Sequence, residues 1–122
     1  MSDARVRLGR RGEDLAARRL VELGYTVVGR NYRCPHGELD LIARHGDVLV
    51  FVEVRTRRSA RFGTPEESIT PRKQAHLIAA AQHYLQAHAL ADVPWRIDAV
   101  AITVAPGGRV TRLGVIENAV SG

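Results

Sequence analysis

Gly37-Glu38-Leu39-Asp40-Leu41-Ile42 and Val50-Phe51-Val52-Glu53-Val54-Arg55, joined through His45-Gly46-Asp47-Val48, decide the fold. Gly46-Asp47 reads as a two-residue hairpin loop with glycine first, as a II′ turn prefers. His45 then faces Val48, and counting back along both strands sets Asp40 opposite Glu53. Side chains opposed in this way have Cβ atoms roughly 4.5–5.5 Å apart, and like charges there are destabilising. Glu53 also ends the run 48–52, which is apolar on both faces. A carboxylate buried there needs a partner or a cation. Two acids at the end of a buried strand therefore point to a hard divalent metal.

Outward from this hairpin the chain is predicted to follow the order helix, three strands, helix, two strands. Residues 8–23 read as an amphipathic helix, with Leu8, Gly12, Leu15, Ala16, Leu20 and Leu23 on one stripe and Gly24 as its stop. Residues 25–33 read as a strand centred on Val27 and Val28, followed by the turn Cys34-Pro35-His36-Gly37. Residues 38–44 and 48–57 are the hairpin strands. A polar connection covers 58–69, the segment expected to be mobile. Thr70-Pro71 then opens a second helix, with Thr as N-cap and Pro in the first helical position. Its buried stripe is Leu77, Ile78, Ala81 and Leu85, and it ends near Leu90. Residues 95–104 alternate and then turn wholly apolar, as an interior strand does, and 109–116 form an edge strand after Pro106-Gly107-Gly108. This order predicts an α/β fold, a mixed sheet with helices packed on it, in which the second helix is a right-handed crossover.

Length fits one domain, residues 1–122, with a core over about 8–118. No apolar run approaches the roughly 18 residues of a membrane span. Met1-Ser2-Asp3-Ala4-Arg5 lacks the apolar stretch of a signal peptide, and the single cysteine, Cys34, cannot form an internal disulfide. A cytoplasmic location is the expectation. Net charge is +5 and the sequence pI is about 10.3, which favours an anionic partner, nucleic acid first. Every basic residue except Lys73 is arginine, a bias that genome composition can also produce. Position says more: Arg5, Arg7, Arg10 and Arg11 crowd the N-terminus, and Arg55, Arg57, Arg58 and Arg61 follow Glu53 directly.

Asp40, Glu53 and Arg55 form the pattern D-x12-E-x-R, with Glu53 and Arg55 on one strand face. Hard cations such as Mg²⁺ take carboxylate oxygens, bind phosphate and make water a nucleophile. A backbone carbonyl such as that of Val54 suits the same cation. The structural alternative is an ion pair of Glu53 with a neighbouring arginine and an Asp40 that caps a turn. Glu13 borders the apolar stripe of the first helix, and helix geometry alone leaves it an ordinary exposed glutamate. Gly9 and Gly12 would allow that helix to approach the sheet closely.

Gly12-Glu13, Asn31-Tyr32-Arg33, Gly37-Glu38-Leu39-Asp40-Leu41-Ile42, Val52-Glu53-Val54-Arg55-Thr56-Arg57 and Lys73-Gln74 together resemble the YraN-like bacterial proteins of the PD-(D/E)xK nuclease superfamily, close to archaeal Holliday junction resolvases. The resemblance implies a restriction-endonuclease-like αβββαβ core, a mixed central sheet flanked by helices. It implies Mg²⁺ or Mn²⁺ held by Glu13, Asp40 and Glu53. The lysine usual two residues after the Glu falls on Arg55. Arginine stays protonated and cannot act as a general base, yet it can orient a phosphate and offset transition-state charge. Lys73 would supply the missing ammonium, and the Gln74 amide would hold a water at the cation. The implied activity is a metal-dependent DNA endonuclease, with branched DNA among its substrates. Arg10, Arg11, Arg55, Arg57, Arg58, Arg61 and Lys73 would bind backbone. A homodimer would suit a two-fold substrate. The competing expectations are a catalytically inactive DNA-binding module with the same fold and a protein–protein adaptor.

Other residues are expected to be structural. Asp98, buried by alternation, reads as a hydrogen-bonded acid near Arg96, and Glu38 as a salt-bridge partner. His76 and His83 lie too far apart along one helix to share a metal and read as solvated. Cys34 and His36 lack the four ligands of structural zinc.

Overall fold

A computed structural model describes residues 2–58 and 68–120, and the side chains of 7–58 and 68–120. The elements are α1 (Ser2–Glu22), β1 (Thr26–Cys34), β2 (Gly37–His45), β3 (Val48–Arg57), α2 (Pro71–Ala87), β4 (Trp95–Val104) and β5 (Val110–Val120). The strands form one sheet in the order β1-β2-β3-β4-β5. β1, β2 and β3 are an antiparallel meander, β4 runs parallel to β3, and β5 returns antiparallel along the far edge. A parallel neighbour needs a crossover, and α2 supplies it. This is the α/β, restriction-endonuclease-like arrangement expected.

Each helix covers one face. Ala16, Ala17 and Leu20 of α1 pack on Leu41, Ala43, Val50, Val52, Val100 and Ile102. Leu77, Ala80, Ala81 and Leu85 of α2 pack on Leu39, Ile42, Phe51, Ile97 and Ala99. With both faces covered, residues 48–52 of β3 and 99–102 of β4 are apolar on both sides, which is why they lose alternation. Thr70 caps α2, accepting from the Lys73 N–H at 3.2 Å, and Pro71 occupies the first turn. That fixes where α2 starts and aims its first turn at the end of β3.

Several expected boundaries move. α1 begins at Ser2 rather than Leu8. Leu23 lies past its end and is 42% exposed, so it leaves the buried stripe, which Ala17 joins. Val28 is exposed too, because the β1–β2 register shifts between Val27 and Gly29. α2 stops at Ala87, capped by His88, and Ala80 is buried where Ile78 is only partly so. β5 continues to Val120, past a register break at Asp98. There Asn118 has φ +52, and its N–H donates to Asp98 Oδ1 at 2.9 Å.

Asp98 is fully buried, as its place in the alternation predicted. Tyr25 donates to Oδ2 at 2.8 Å, and Arg96 donates to Oδ1 at 2.9 Å. Arg96 also reaches the Tyr25 hydroxyl at 3.0 Å and His45 Nδ1 at 2.9 Å. Burial and Asp98 push the Tyr25 phenol up to about 12, keeping it a donor. The network locks the end of α1 to β2, β4 and β5. His83 is not simply solvated: its Nδ1 lies 2.6 Å from the Tyr32 hydroxyl.

Candidate metal and phosphate site

The hairpin register holds as counted: His45 faces Val48, and the ladder runs to Leu41 opposite Val52. Beyond that pair the two strands part company. Gly37–Leu39 pair only with β1, while Glu53–Arg57 pair only with β4. Asp40 sits at the fork. Its Oδ2 accepts the Val54 N–H at 2.8 Å, a bond no strand partner makes. A backbone donor buried between diverging strands needs such an acceptor.

Glu53 lies next to Asp40 at this fork and is 2% exposed. Burial first, then the charge of Asp40 and a hydrogen bond to it, push the Glu53 carboxyl up to about 8. Lys73 and Arg55 pull the other way. Lys73 Nζ is 3.5 Å from Glu53 Oε2, and Arg55 Nε is 3.6 Å from the same oxygen. The ion-pair alternative is thus present in part: Glu53 pairs with Arg55, but Asp40 accepts across the fork from Val54 rather than capping a turn, and the two acids stay together. Burial and the neighbouring Asp40 thus favour the protonated form of Glu53 unless a cation takes the proton's place.

Glu13 faces the fork from α1. Glu13, Asp40, Val54, Leu8, Gly9 and Thr56 line a cavity of about 270 Å³. Partial burial and the Asp40 charge raise the Glu13 pKa. Gly12 makes this approach feasible, because a Cβ there would run into Thr56 Oγ1. Gly9 has no such role; a Cβ there meets nothing within 4 Å. With its amide nitrogen turned toward them, Asn31 donates to Glu13 Oε1 and Glu38 Oε1, both at 3.2 Å. Glu38 pairs with Arg33 at 3.4 Å, as expected.

The donors are hard oxygens, and two carboxylates share one buried fork, so the residues fit Mg²⁺ or Mn²⁺. Among the described residues no three His, Cys, Asp or Glu side chains converge as a finished coordination sphere. Asp40 and Glu53 meet, and Glu13 stands back on the cavity wall. Val54 belongs to the same wall.

Arg55, expected to meet a phosphate, is engaged within the chain. Its guanidinium donates to the Ser68 carbonyl at 3.1 Å, while its buried Nε has no hydrogen-bond partner. Gln74, expected to hold a water, donates its amide to the Ile69 carbonyl at 3.1 Å. Arg10, Arg57 and Arg58 are exposed. Arg11 donates to the Gly108 carbonyl. Arg61 and most of the 58–69 connection lie outside the described residues. Asn31 and Thr56 are site residues to which sequence reasoning gave no role. Both fall inside the family motif, which was the available signal.

The model of the uncharacterised protein family UPF0102 matches residues 12–102, which include Glu13, Asp40, Glu53, Arg55 and Lys73. A UPF0102 protein of Dehalococcoides mccartyi is 44% identical over 119 residues, 98% of this chain and 97% of its own. One from Roseiflexus castenholzii is 53% identical over 105 residues, 85% of each chain. One from Pelotomaculum thermopropionicum is 46% identical over 119 residues, 98% of this chain and 99% of its own.

Proposed function

The chain belongs to the UPF0102 family, and from its forked acid pair we propose that it is a metal-dependent DNA endonuclease. The observation that carries this reading is Glu53, 2% exposed, pushed up to about 8 and set against Asp40. A fold that gathers negative charge out of water pays in stability unless a cation completes it. Asp40, Glu53 and the Val54 carbonyl would hold Mg²⁺ or Mn²⁺, with Glu13 supporting from α1. Such a cation supplies Lewis-acid charge to the phosphate and makes water a competent nucleophile at neutral pH.

The chain's own groups prepare the rest. Asp40 is fixed by the Val54 N–H, so its second oxygen keeps one orientation. Lys73 and the positive first turn of α2 lie at the Glu53 carboxylate, where they would also offset charge gathering on a phosphate. Arg55, always charged, serves as a phosphate clamp rather than a base. Branched DNA as substrate and a homodimer as the working form belong to this proposal.

A second reading, an inactive DNA-binding module, is favoured by the two ion pairs that already engage Glu53. One experiment separates them. Labelled linear, nicked and four-way DNA is incubated with the chain in Mg²⁺, in Mn²⁺ and in EDTA. Metal-dependent cutting that Asp40→Ala and Glu53→Ala abolish supports the nuclease. Binding in every buffer with no cutting supports the module, and loss of both returns the adaptor.

A further inference from the structure

Beside the acid cavity lies a second one, of opposite charge. Arg7, Leu8, Arg11, Arg58, Val104 and Gly108 line about 210 Å³ between α1, the end of β3 and the β4–β5 turn. Three arginines from two distant segments line it, and the Arg11 guanidinium is placed there by its bond to the Gly108 carbonyl. Among the described residues no carboxylate lines the wall, and none pairs with Arg7, Arg11 or Arg58. Elsewhere arginines of α1 and β1 do find acids: Arg19 pairs with Glu22 at 3.2 Å and Arg30 with Asp14 at 2.6 Å. Exposed arginines held side by side without a counter-charge create a local positive potential that draws in an anion.

We infer that the cavity lined by Arg7, Arg11 and Arg58 is a phosphate subsite that grips the substrate strand next to the phosphate at the acid cavity. The bond from Arg11 to the Gly108 carbonyl fixes one edge of its guanidinium and leaves its other donors for a ligand. The planar fork matches phosphate oxygens better than an ammonium would. Leu8 borders both cavities, so one strand can span them. The inference rests on the reading that the substrate is a nucleic acid, and it makes Arg7 a binding residue that its place in the N-terminal cluster did not single out. Arg10, outside the cavity, is not part of the subsite.

The test is duplex binding by the full chain, in EDTA, over a salt series, with hydroxyl-ended DNA so that only internal phosphates are offered. The variant R7Q/R58Q is expected to bind roughly tenfold more weakly and to lower the salt slope by about one, while Arg18→Gln on the outer face of α1 does neither. A second arm adds inorganic phosphate and follows arginine Nε–H resonances. Shifts at Arg7, Arg11 and Arg58, with the Arg11 shift lost in R7Q/R58Q, support the subsite even if duplex binding fails and the nuclease reading falls. Native-like duplex binding by R7Q/R58Q overturns the inference and leaves the nuclease reading standing. Arginine signals indifferent to phosphate overturn it as well.

Discussion

Asp40 Oδ2 accepts the Val54 N–H at 2.8 Å, with Asp40 one residue and Val54 two residues beyond the last pair of the β2–β3 ladder. The carboxylate therefore does two jobs: it closes the fork and it crowds Glu53. Asp40→Asn separates them, because an amide oxygen can still accept from Val54 while the charge is gone. The variant is expected to be at least as stable as the native chain, by up to about 1 kcal/mol. Its affinity for Mn²⁺ should fall at least tenfold. Urea unfolding and Mn²⁺ titration check both halves; a large loss of stability would mean the Asp40 charge itself supports the fold.

Glu53 predicts an unusual pH trend. Its folded value, about 8, lies above its ordinary 4.5. Between those values the folded chain keeps a proton that the unfolded chain releases. This group's contribution is therefore full below its ordinary value and is lost as pH rises through the folded one. In EDTA, stability is expected to decline by a few kcal/mol, on the order of the linkage limit, across that window. Glu53→Gln should flatten the decline, and saturating Mn²⁺ should stabilise the native chain more at the alkaline end. Denaturant melts at several pH values read this directly.

Lys73 is the ammonium nearest Glu53, at 3.5 Å. Lys73→Met is expected to raise the Glu53 pKa further, since Lys73 lowers it. Metal-dependent cleavage should drop roughly 100-fold, the scale of losing one well-placed electrostatic donor. Single-turnover rates with metal in excess measure the loss, and undiminished cleavage would remove Lys73 from the site.

The parts of this molecule legible in the sequence were those governed by local rules. Gly46-Asp47 set the hairpin register, Thr70-Pro71 set the start of α2, and the apolar run at Trp95–Val104 gave β4 its bounds. The site acids followed from that register. What stayed hidden depends on closeness in three dimensions. Nothing local shows that Asn31 adopts φ +53 and bridges Glu13 to Glu38. Nor does anything local show that Arg55 spends its donors on the Ser68 carbonyl. β5 was read too short because Asn118, in a left-handed conformation, interrupts the pattern, while Asp98 repairs the break from the next strand. Arg7 went unassigned because only the fold brings it to Arg58.

Asp98 closes a ladder break with a carboxylate, as Asp40 does, but with every partner in place. Asp98→Ala would strand the Arg96 guanidinium, the Tyr25 hydroxyl and the Asn118 N–H together. Removing one member of a buried ion pair costs about 3–5 kcal/mol. Urea unfolding should show that loss, while Mn²⁺ affinity of the fraction that remains folded stays near native. A small loss would indicate that water reaches Arg96 and Tyr25.

Gly12 and Gly9 make the final pair of expectations. Replacing a helical glycine with alanine gains about 1 kcal/mol in propensity when nothing obstructs the new methyl. Gly9 meets that condition, and Gly9→Ala is expected to stabilise by about that amount. At Gly12 the methyl would meet Thr56 Oγ1, on a stiff β-branched side chain beneath α1. Overpacking costs about 1–3 kcal/mol, so it cancels or exceeds the propensity gain. Gly12→Ala should therefore be no more stable than the native chain, and α1 should lift with Glu13 away from the fork. Mn²⁺ affinity is then lower for Gly12→Ala and unchanged for Gly9→Ala. Equal stabilisation by both substitutions would show that α1 does not rest on Thr56, and Glu13 would lose its claim to the cavity.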